Sequence, residues 1–165
     1  MSEKILRHFL RDKEAKALLN EASRTLKADL RQIIPGKPTV EVVKTDALNI
    51  FLLNGRPLLA EEEGKFYPTL AFAELFSVMP RVIVDMGAVP HVCNGADVMA
   101  PGVRGFQGRF ERGDFVVIVD ERHSKALAIG ETLYSQEEML RVGQGVVVKN
   151  IHFVGDKTWD QTRRF

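Results

Sequence analysis

The amino-acid sequence predicts an α+β N-terminal domain followed by a mostly-β C-terminal domain. Apolar residues recur at three- and four-residue steps between Asp12 and Leu30, which is the helical period. The runs Val82–Val84 and Val146–Val154 are rich in β-branched residues, which is typical of buried strands. Pro80 follows a helical pattern and precedes the first of these strands, so we place the boundary there. The predicted divisions are residues 1–79, residues 80–158 and a C-terminal tail of residues 159–165.

The N-terminal domain is predicted to open with a short strand and a long helix. Lys4 to Leu10 reads as the strand, and the helix runs from about Asp12 to Leu30, before Pro35-Gly36. The apolar stripe of this helix comprises Ala15, Leu18, Leu19, Ala22 and Leu26. The basic residues that lie largely off the stripe are Lys13, Lys16, Arg24, Lys27 and Arg31. A basic helix face can bind phosphate, but the interleaved acidic residues favour a solvated surface.

Three strands and a second helix complete the predicted N-terminal domain. Strands Thr39–Lys44 and Asn49–Leu53 lead to Asn54-Gly55, a dipeptide that accepts the positive φ angles of a tight hairpin turn, and the chain returns through Arg56 to Ala60. Pro57 indicates that the return strand begins at a sheet edge. Glu61–Glu63 reads as a solvated strand end rather than an acidic metal site. Pro68 suits the first turn of a helix that continues to Ser77 or Val78.

The C-terminal domain is organised around Arg81–Gly105. This stretch predicts a strand, a short apolar helical turn, a turn and a second strand, with glycines where the chain changes direction. Paired strands follow at Asp114–Asp120 and Lys125–Thr132, where Ala126, Ala128 and Gly130 suit a tightly curved wall. Ser135–Glu138 is a capping box that predicts a short helix through Arg141, and Val146–Val154 is the closing strand.

Composition limits the classes of function. The 165 residues carry a net charge of +1, which argues against indiscriminate electrostatic binding, but residues 1–37 hold nine Lys or Arg against five Asp or Glu. No apolar run approaches the roughly 18–20 residues of a membrane span, and Glu3, Lys4 and Arg7 stand where a signal peptide would be apolar. We therefore expect a cytoplasmic protein without membrane contact. Cys93 follows apolar Val92 and is predicted to be a buried core thiol.

Catalytic signatures are missing from the sequence. It contains no glycine-rich phosphate loop with lysine, no histidine pair at metal-ligand spacing and no serine in a nucleophile elbow. Asp85 and Asp97 could form a carboxylate pair, but Asp85 next to a glycine turn and Asp97 at a strand start favour structural roles. We predict that the protein is not an enzyme and needs no cofactor and no metal.

Four ordered motifs stand out in the C-terminal half: Asp85–Ala88, Asn94–Ala96, Met99–Val103 and Phe110–Asp114 before an apolar strand. At this spacing they resemble the PUA domain, the RNA-binding module named after pseudouridine synthases and archaeosine transglycosylases. The resemblance implies that residues 80–158 form a PUA pseudo-barrel and residues 1–79 a pre-PUA α+β domain.

Further matching segments extend the resemblance over most of the chain from about residue 39. They are Asn54-Gly55, Phe66–Leu70 and Asn150–Phe153 followed by Asp156 and Trp159. The whole chain resembles the archaeal counterpart of the "multiple copies in T-cell lymphoma" family of translation factors. The resemblance implies binding to tRNA or small-subunit ribosomal RNA, action on the small ribosomal subunit in initiation or recycling, and a density-regulated-type protein as a candidate partner.

The RNA contact is predicted around the glycines of the first motifs, where the backbone can approach a ligand closely. Lys149 interrupts an apolar strand and must point outward. His152 is favoured as a hydrogen-bonded core histidine, with RNA contact as the alternative. Arg104 and Arg109 flank glycines and are either phosphate contacts or solvated surface. The predicted RNA-binding residues are Gly87, Ala88, His91, Asn94, Gly95, Ala96, Met99, Pro101, Gly102, Arg104, Arg109, Lys149, Asn150 and His152.

Two other functions remain open at this point. The protein could be an adaptor whose N-terminal domain docks a protein partner, or an RNA-targeting subunit for an RNA-modifying enzyme. Binding to RNA weakens steeply with salt in proportion to the phosphates contacted, whereas an apolar protein interface does not. Salt dependence therefore separates these functions.

Overall fold

The computed structural model describes residues 4–165 and divides into two compact units. One unit runs up to Leu75 and takes in Lys157–Phe165, and the other is Phe76–Asp156. The first unit therefore includes a final helix, α6 (Lys157–Thr162), where a C-terminal tail is predicted. The Thr158 hydroxyl lies 2.8 Å from the Tyr67 hydroxyl, and the Lys157 ammonium pairs with the Glu62 carboxylate, so α6 is held by side chains of this unit.

The first unit contains an antiparallel five-stranded sheet in which the strands follow chain order. Its strands are β1 (Leu6–Phe9), β2 (Val40–Lys44), β3 (Asn49–Leu53), β4 (Arg56–Glu62) and β5 (Lys65–Pro68). Asn54 and Gly55 have φ angles of 52° and 81°, as the predicted hairpin requires. Every residue of β1, which lies at one edge of the sheet, is exposed.

The predicted single N-terminal helix is two helices. Helix α1 (Asp12–Leu26) buries Ala15, Leu19, Ala22 and Leu26, four of the five residues of the predicted apolar stripe. It ends where Lys27 adopts the left-handed conformation, with φ 54°. The Asp29 carboxylate then accepts a hydrogen bond from the Arg31 backbone N–H and caps helix α2 (Leu30–Ile33). The prediction of one helix to Leu30 was wrong because a cap interrupts the apolar pattern.

Two expectations built on prolines were wrong. Pro57 does not mark a sheet edge, since β4 lies between β3 and β5; it pairs with Leu52 beside a register shift. A bulge of this kind accommodates the missing proline N–H inside a sheet. Pro68 does not start a helix but ends β5, the other edge strand. Between Pro68 and Pro80 the only helix is α3 (Ala73–Phe76). The turn Glu63-Gly64, with φ angles of 53° and 77°, turns the chain from β4 into β5.

The second unit is β-rich. Its six-stranded sheet has the order β7-β11-β10-β9-β6-β8, and the β6–β9 pair is parallel. The strands are β6 (Arg81–Val84), β7 (Val98–Met99), β8 (Val103–Gln107), β9 (Phe115–Asp120), β10 (Ala126–Thr132) and β11 (Val146–Phe153). The short helices are α4 (Val89–Val92) and α5 (Gln136–Met139), the latter starting with the predicted capping box at Ser135.

This sheet curls upon itself, as its connectivity requires. The edge strands β7 and β8 are separated in the chain by the 3-10 turn Ala100–Gly102 alone. Such a link spans about 14 Å at most, whereas the edges of a flat six-stranded sheet lie about 24 Å apart. The curvature makes the wall tight at Gly130, where an added Cβ would lie 2.4 Å from Val148 Cγ1.

Two further expectations concern the burial of Cys93 and membrane-spanning helices. Cys93 is exposed at the C-terminal end of α4, so the prediction of a buried thiol was wrong. The core of this unit is mostly aliphatic, with Phe110 and Met139, and it includes Val92, the neighbour of Cys93. No helix among residues 4–165 is long and apolar enough to cross a membrane.

Candidate nucleic-acid interface

The turn between β6 and α4 is braced by Asp85. Asp85 Oδ1 accepts a hydrogen bond of 2.8 Å from the Ala88 backbone N–H, and the Asp85 N–H donates to the Gly102 carbonyl at 2.9 Å. A Cβ on Gly102 would lie 3.3 Å from the Ala88 Cβ, so the 3-10 turn and the β6–α4 turn pack at close range. Asp85 therefore has the structural role that the sequence analysis favours.

The turn after α4 rests on an aromatic ring. Gly95 has a φ angle of 93°, and an added Cβ would lie 2.9 Å from Phe153 Cε1. The Asn94 and Ala96 backbone N–H groups both donate to the His91 carbonyl. Only glycine meets both conditions at position 95, a left-handed backbone and contact with a ring.

Asn150 joins this turn to β11. Its Nδ2 donates to the Val92 and Ala96 carbonyls, each at 3.1 Å, and its backbone N–H donates to Asp97 Oδ1 at 2.8 Å. Both N–H groups of the side-chain amide are therefore used inside the unit. The sequence places Asn150 among the RNA contacts, whereas the structure gives its side-chain donors to the fold.

His152 is the second predicted contact with a structural role. Its side chain has no exposed surface, and its Nδ1 lies 2.9 Å from Asp156 Oδ1. Asp156 also accepts a hydrogen bond from the Phe153 backbone N–H. His152 is therefore a hydrogen-bonded core histidine in this structure. The alternative of RNA contact does not fit, because RNA cannot reach a fully buried ring in this conformation.

The predicted basic residues fall into two groups. Arg104 lies 3.2 Å from Asp85 Oδ2 and 3.6 Å from Glu121 Oε2, so two carboxylates balance its charge. Arg109, Lys149 and His91 are exposed, and within residues 4–165 their side chains have no ion pair or hydrogen bond. The second group is free to meet a phosphate, whereas Arg104 supports the β6–α4 turn.

Glu121 belongs to the site although it is not among the predicted residues. It accepts a hydrogen bond from the Met86 backbone N–H and pairs with Arg104, linking the β9–β10 turn to the β6–α4 turn. Asp120 holds this second turn by accepting from three backbone N–H groups, of Arg122, His123 and Lys125. These bonds, the one from His123 first, lower the pKa of the Asp120 carboxyl. No local sequence signal marks Glu121, because its partners lie far along the chain.

The remaining predicted residues form the outer face of these turns, which we call the turn surface: residues 85–102 with Lys149. Gly87, Asn94, Ala96 and Pro101 are exposed, and Met99 keeps 49% of its surface accessible. The turn surface therefore presents backbone, small side chains and one long apolar side chain, with few unpaired charges. In the part of the chain that the structure describes, no three His, Cys, Asp or Glu side chains are grouped to hold a metal ion.

Comparison with known proteins gives the family. The PUA domain family matches residues 80–154, and the domain of unknown function DUF1947 matches residues 6–74. Translation machinery-associated protein 20 of Saccharomyces cerevisiae is 32% identical, over 78% of this chain and 76% of the yeast protein. Malignant T-cell-amplified sequence 1 of Danio rerio is 32% identical, over 79% of this chain and 75% of the fish protein.

A solved structure shares the whole architecture. The crystal structure of a hypothetical protein from Pyrococcus horikoshii OT3 matches with a TM-score of 0.78 and 33% identity, covering 95% of this chain and 99% of that one. Both halves of the chain are thus matched in sequence and in fold. In this chain a DUF1947 domain precedes a PUA domain, and the chain belongs to the family that includes translation machinery-associated protein 20 and malignant T-cell-amplified sequence 1.

Proposed function

We propose that this protein is a non-catalytic RNA-binding factor of translation that acts on the small ribosomal subunit or on tRNA. The observation that carries the proposal is the turn surface, in which close-packed backbone turns are joined to β11 by the hydrogen bond from the Asn150 N–H to Asp97. Lys149, the residue before Asn150, is exposed and unpaired. The name of the yeast relative, a translation machinery-associated protein, supports a role in translation.

The chemistry of the turn surface suits folded RNA better than a charge-dense duplex. A surface of backbone and small side chains reads the shape of an RNA, its riboses and its unpaired ends, and does not depend on many phosphates. Met99 offers an apolar contact for a ribose or base, Lys149 offers a charge-assisted contact, and the exposed His91 ring offers a hydrogen bond. Specificity for one RNA then comes from shape, with the cations adding affinity.

The test is co-sedimentation of the purified protein with archaeal small ribosomal subunits, with and without deacylated tRNA, across a salt series. We expect association that fades with rising salt, because each phosphate contact releases counterions. Lys149→Glu should weaken the association, whereas Lys44→Glu, which makes the same charge change at an exposed lysine of β2 in the first unit, should not. Arg104 is left unchanged, because a carboxylate there would face Asp85 and Glu121.

Each outcome decides between functions. Binding to the subunit that Lys149→Glu weakens supports the proposal, and binding to free tRNA alone selects tRNA as the ligand. No association at low salt with either RNA overturns it, and a salt-insensitive complex with a protein would favour the adaptor function.

A further inference from the structure

A basic groove lies in the first unit. It is bounded by α1, α2 and the segment that precedes β2, and its volume is about 500 Å³. Four cationic side chains line it: Lys13, Lys16, Arg31 and Lys37. Its floor is apolar, since Ala15 and Leu19 are both buried. We call this feature the basic groove.

The charge of the basic groove is largely uncompensated. Lys13, Lys16 and Arg31 have no ion pair with any residue from 4 to 165. Lys37 lies 2.8 Å from Asp12, but both side chains are mostly exposed, at 78% and 84%, and such a pair contributes little stability. Asp12 is the only acidic side chain among the described lining residues. Four neighbouring cations with one carboxylate favour a ligand with several negative charges.

An aromatic side chain extends the groove at one end. A neighbouring hollow shares Asp12, Ala15, Lys37 and Pro38 with the basic groove and is also lined by Phe9. Phe9 lies at the end of the edge strand β1 and is 65% exposed, which is unusual for so large an apolar side chain. A ring that continues a row of cations is the arrangement by which proteins stack a base and hold the flanking phosphates of single strands.

The geometry points to a second RNA site, and we infer that the basic groove binds the backbone of single-stranded RNA while Phe9 stacks an unpaired base. This inference goes beyond the proposed function, because it concerns the other unit and requires nothing of the turn surface. An acidic peptide would satisfy the cations equally well, but it gives no reason for the exposed ring next to them. RNA accounts for both features.

The first experiment measures binding of fluorescein-labelled oligouridine to the full chain by fluorescence anisotropy across a salt series. The test variant is Lys13→Glu with Lys16→Glu, and the control is Arg24→Glu with Lys125→Glu. The control changes the net charge equally at exposed positions outside the groove. We expect the test variant to bind at least about tenfold more weakly, with a salt slope smaller by about 1.4, since each single-strand phosphate contact contributes about 0.7. The control should retain both values.

The second experiment separates stacking from charge. Phe9→Ala should weaken oligouridine binding by about tenfold while leaving the salt slope unchanged, because a lost stack releases no counterions. Leu6→Ala is the matched control, since Leu6 is 54% exposed on the same strand but lines neither hollow. Circular dichroism of each variant verifies the fold.

The failures of the two proposals can be told apart. Lys149→Glu leaves the basic groove intact, so it should change ribosomal co-sedimentation and leave most of the oligouridine affinity. Equal binding by the groove variant and its charge-matched control would overturn the inference. Binding of poly-glutamate but not oligouridine by the unaltered protein would also overturn it, in favour of an acidic protein partner.

Discussion

The turn surface and the basic groove are built in opposite ways. Next to the turn surface, polar side chains are committed to the fold that supports it: Arg104 pairs with two carboxylates, and the Asn150 amide donates to two carbonyls. In the basic groove, Lys13 and Lys16 have no such partners among the described residues. A preorganised surface can select by shape, whereas unpaired cations attract any polyanion. Substitutions should therefore damage the first through packing and the second through charge.

The largest effect is expected from Gly95→Ala in the turn surface. The new Cβ would enter the Phe153 ring and force a left-handed backbone on alanine, so the free energy of unfolding should fall by about 2–4 kcal/mol. Gly113→Ala is the control, because Gly113 has a similar φ of 87° but nothing within 4 Å of the added Cβ. Urea unfolding measures both. Equal losses would show that the ring contact contributes nothing.

The next effect concerns Asn150→Asp, which keeps the shape but replaces two N–H donors with oxygen. The carboxylate would face the Val92 and Ala96 carbonyls, and we expect a loss of about 1–3 kcal/mol. Asn94→Asp, at an exposed position of the same turn, should cost much less. If Asn150 were chiefly an RNA contact, its substitution would lower affinity and leave urea unfolding unchanged.

A smaller effect should appear in the pH dependence of the turn that carries Glu121. The three N–H bonds lower the folded pKa of Asp120, so its carboxylate stabilises the protein fully above the unfolded pKa of about 3.9. This contribution is lost as pH falls through the lower folded pKa. In Asp120→Asn we expect a Tm several degrees lower at neutral pH, with the difference from the unaltered protein shrinking in acid. Thermal scans from about pH 7 to about pH 3 test this, and a constant difference would contradict it.

The smallest effect on stability is expected in the basic groove. Lys13→Ala removes an exposed, unpaired cation from a like-charged cluster, so the free energy of unfolding should stay within about 0.5 kcal/mol. Its oligouridine affinity should nevertheless fall, with a reduced salt slope. A measurable loss of stability without loss of affinity would reverse the contrast between the two regions.

Local signals in the sequence predict the fold well where one dipeptide sets the geometry. Asn54-Gly55 predicts its hairpin correctly, and Ser135–Glu138 predicts its capping box. The equivalent turn at Glu63-Gly64 is missed because glutamate rarely takes a positive φ, and the misplaced helix at Pro68 follows from that omission. Cys93 is misjudged because an apolar neighbour does not tell which side of a one-turn helix faces the core.

The candidate site is predictable in its backbone and less so in its side chains. The glycines at 87, 95 and 102 indicate the turns, and the two-residue period of strands predicts that the Lys149 side chain points to solvent. The partners of Asn150 and Arg104 are distant in sequence, so no local pattern shows that the fold uses these groups. For the same reason the sequence does not predict the basic groove. Lys37, which lines it, follows the helix that holds Lys13 and Lys16 by many residues.

The return of α6 to the first unit bears on how the chain is made. When a ribosome has synthesised residues up to Leu75, all five strands of the first sheet exist, but Tyr67 still lacks Thr158, and Glu62 still lacks Lys157. The whole of Phe76–Asp156 must be produced before these contacts can form. The first unit is therefore completed only after the second has been made, and a chain released early lacks the Thr158 hydroxyl beside that of Tyr67. Such incomplete chains carry a local defect that chaperones and proteases can recognise.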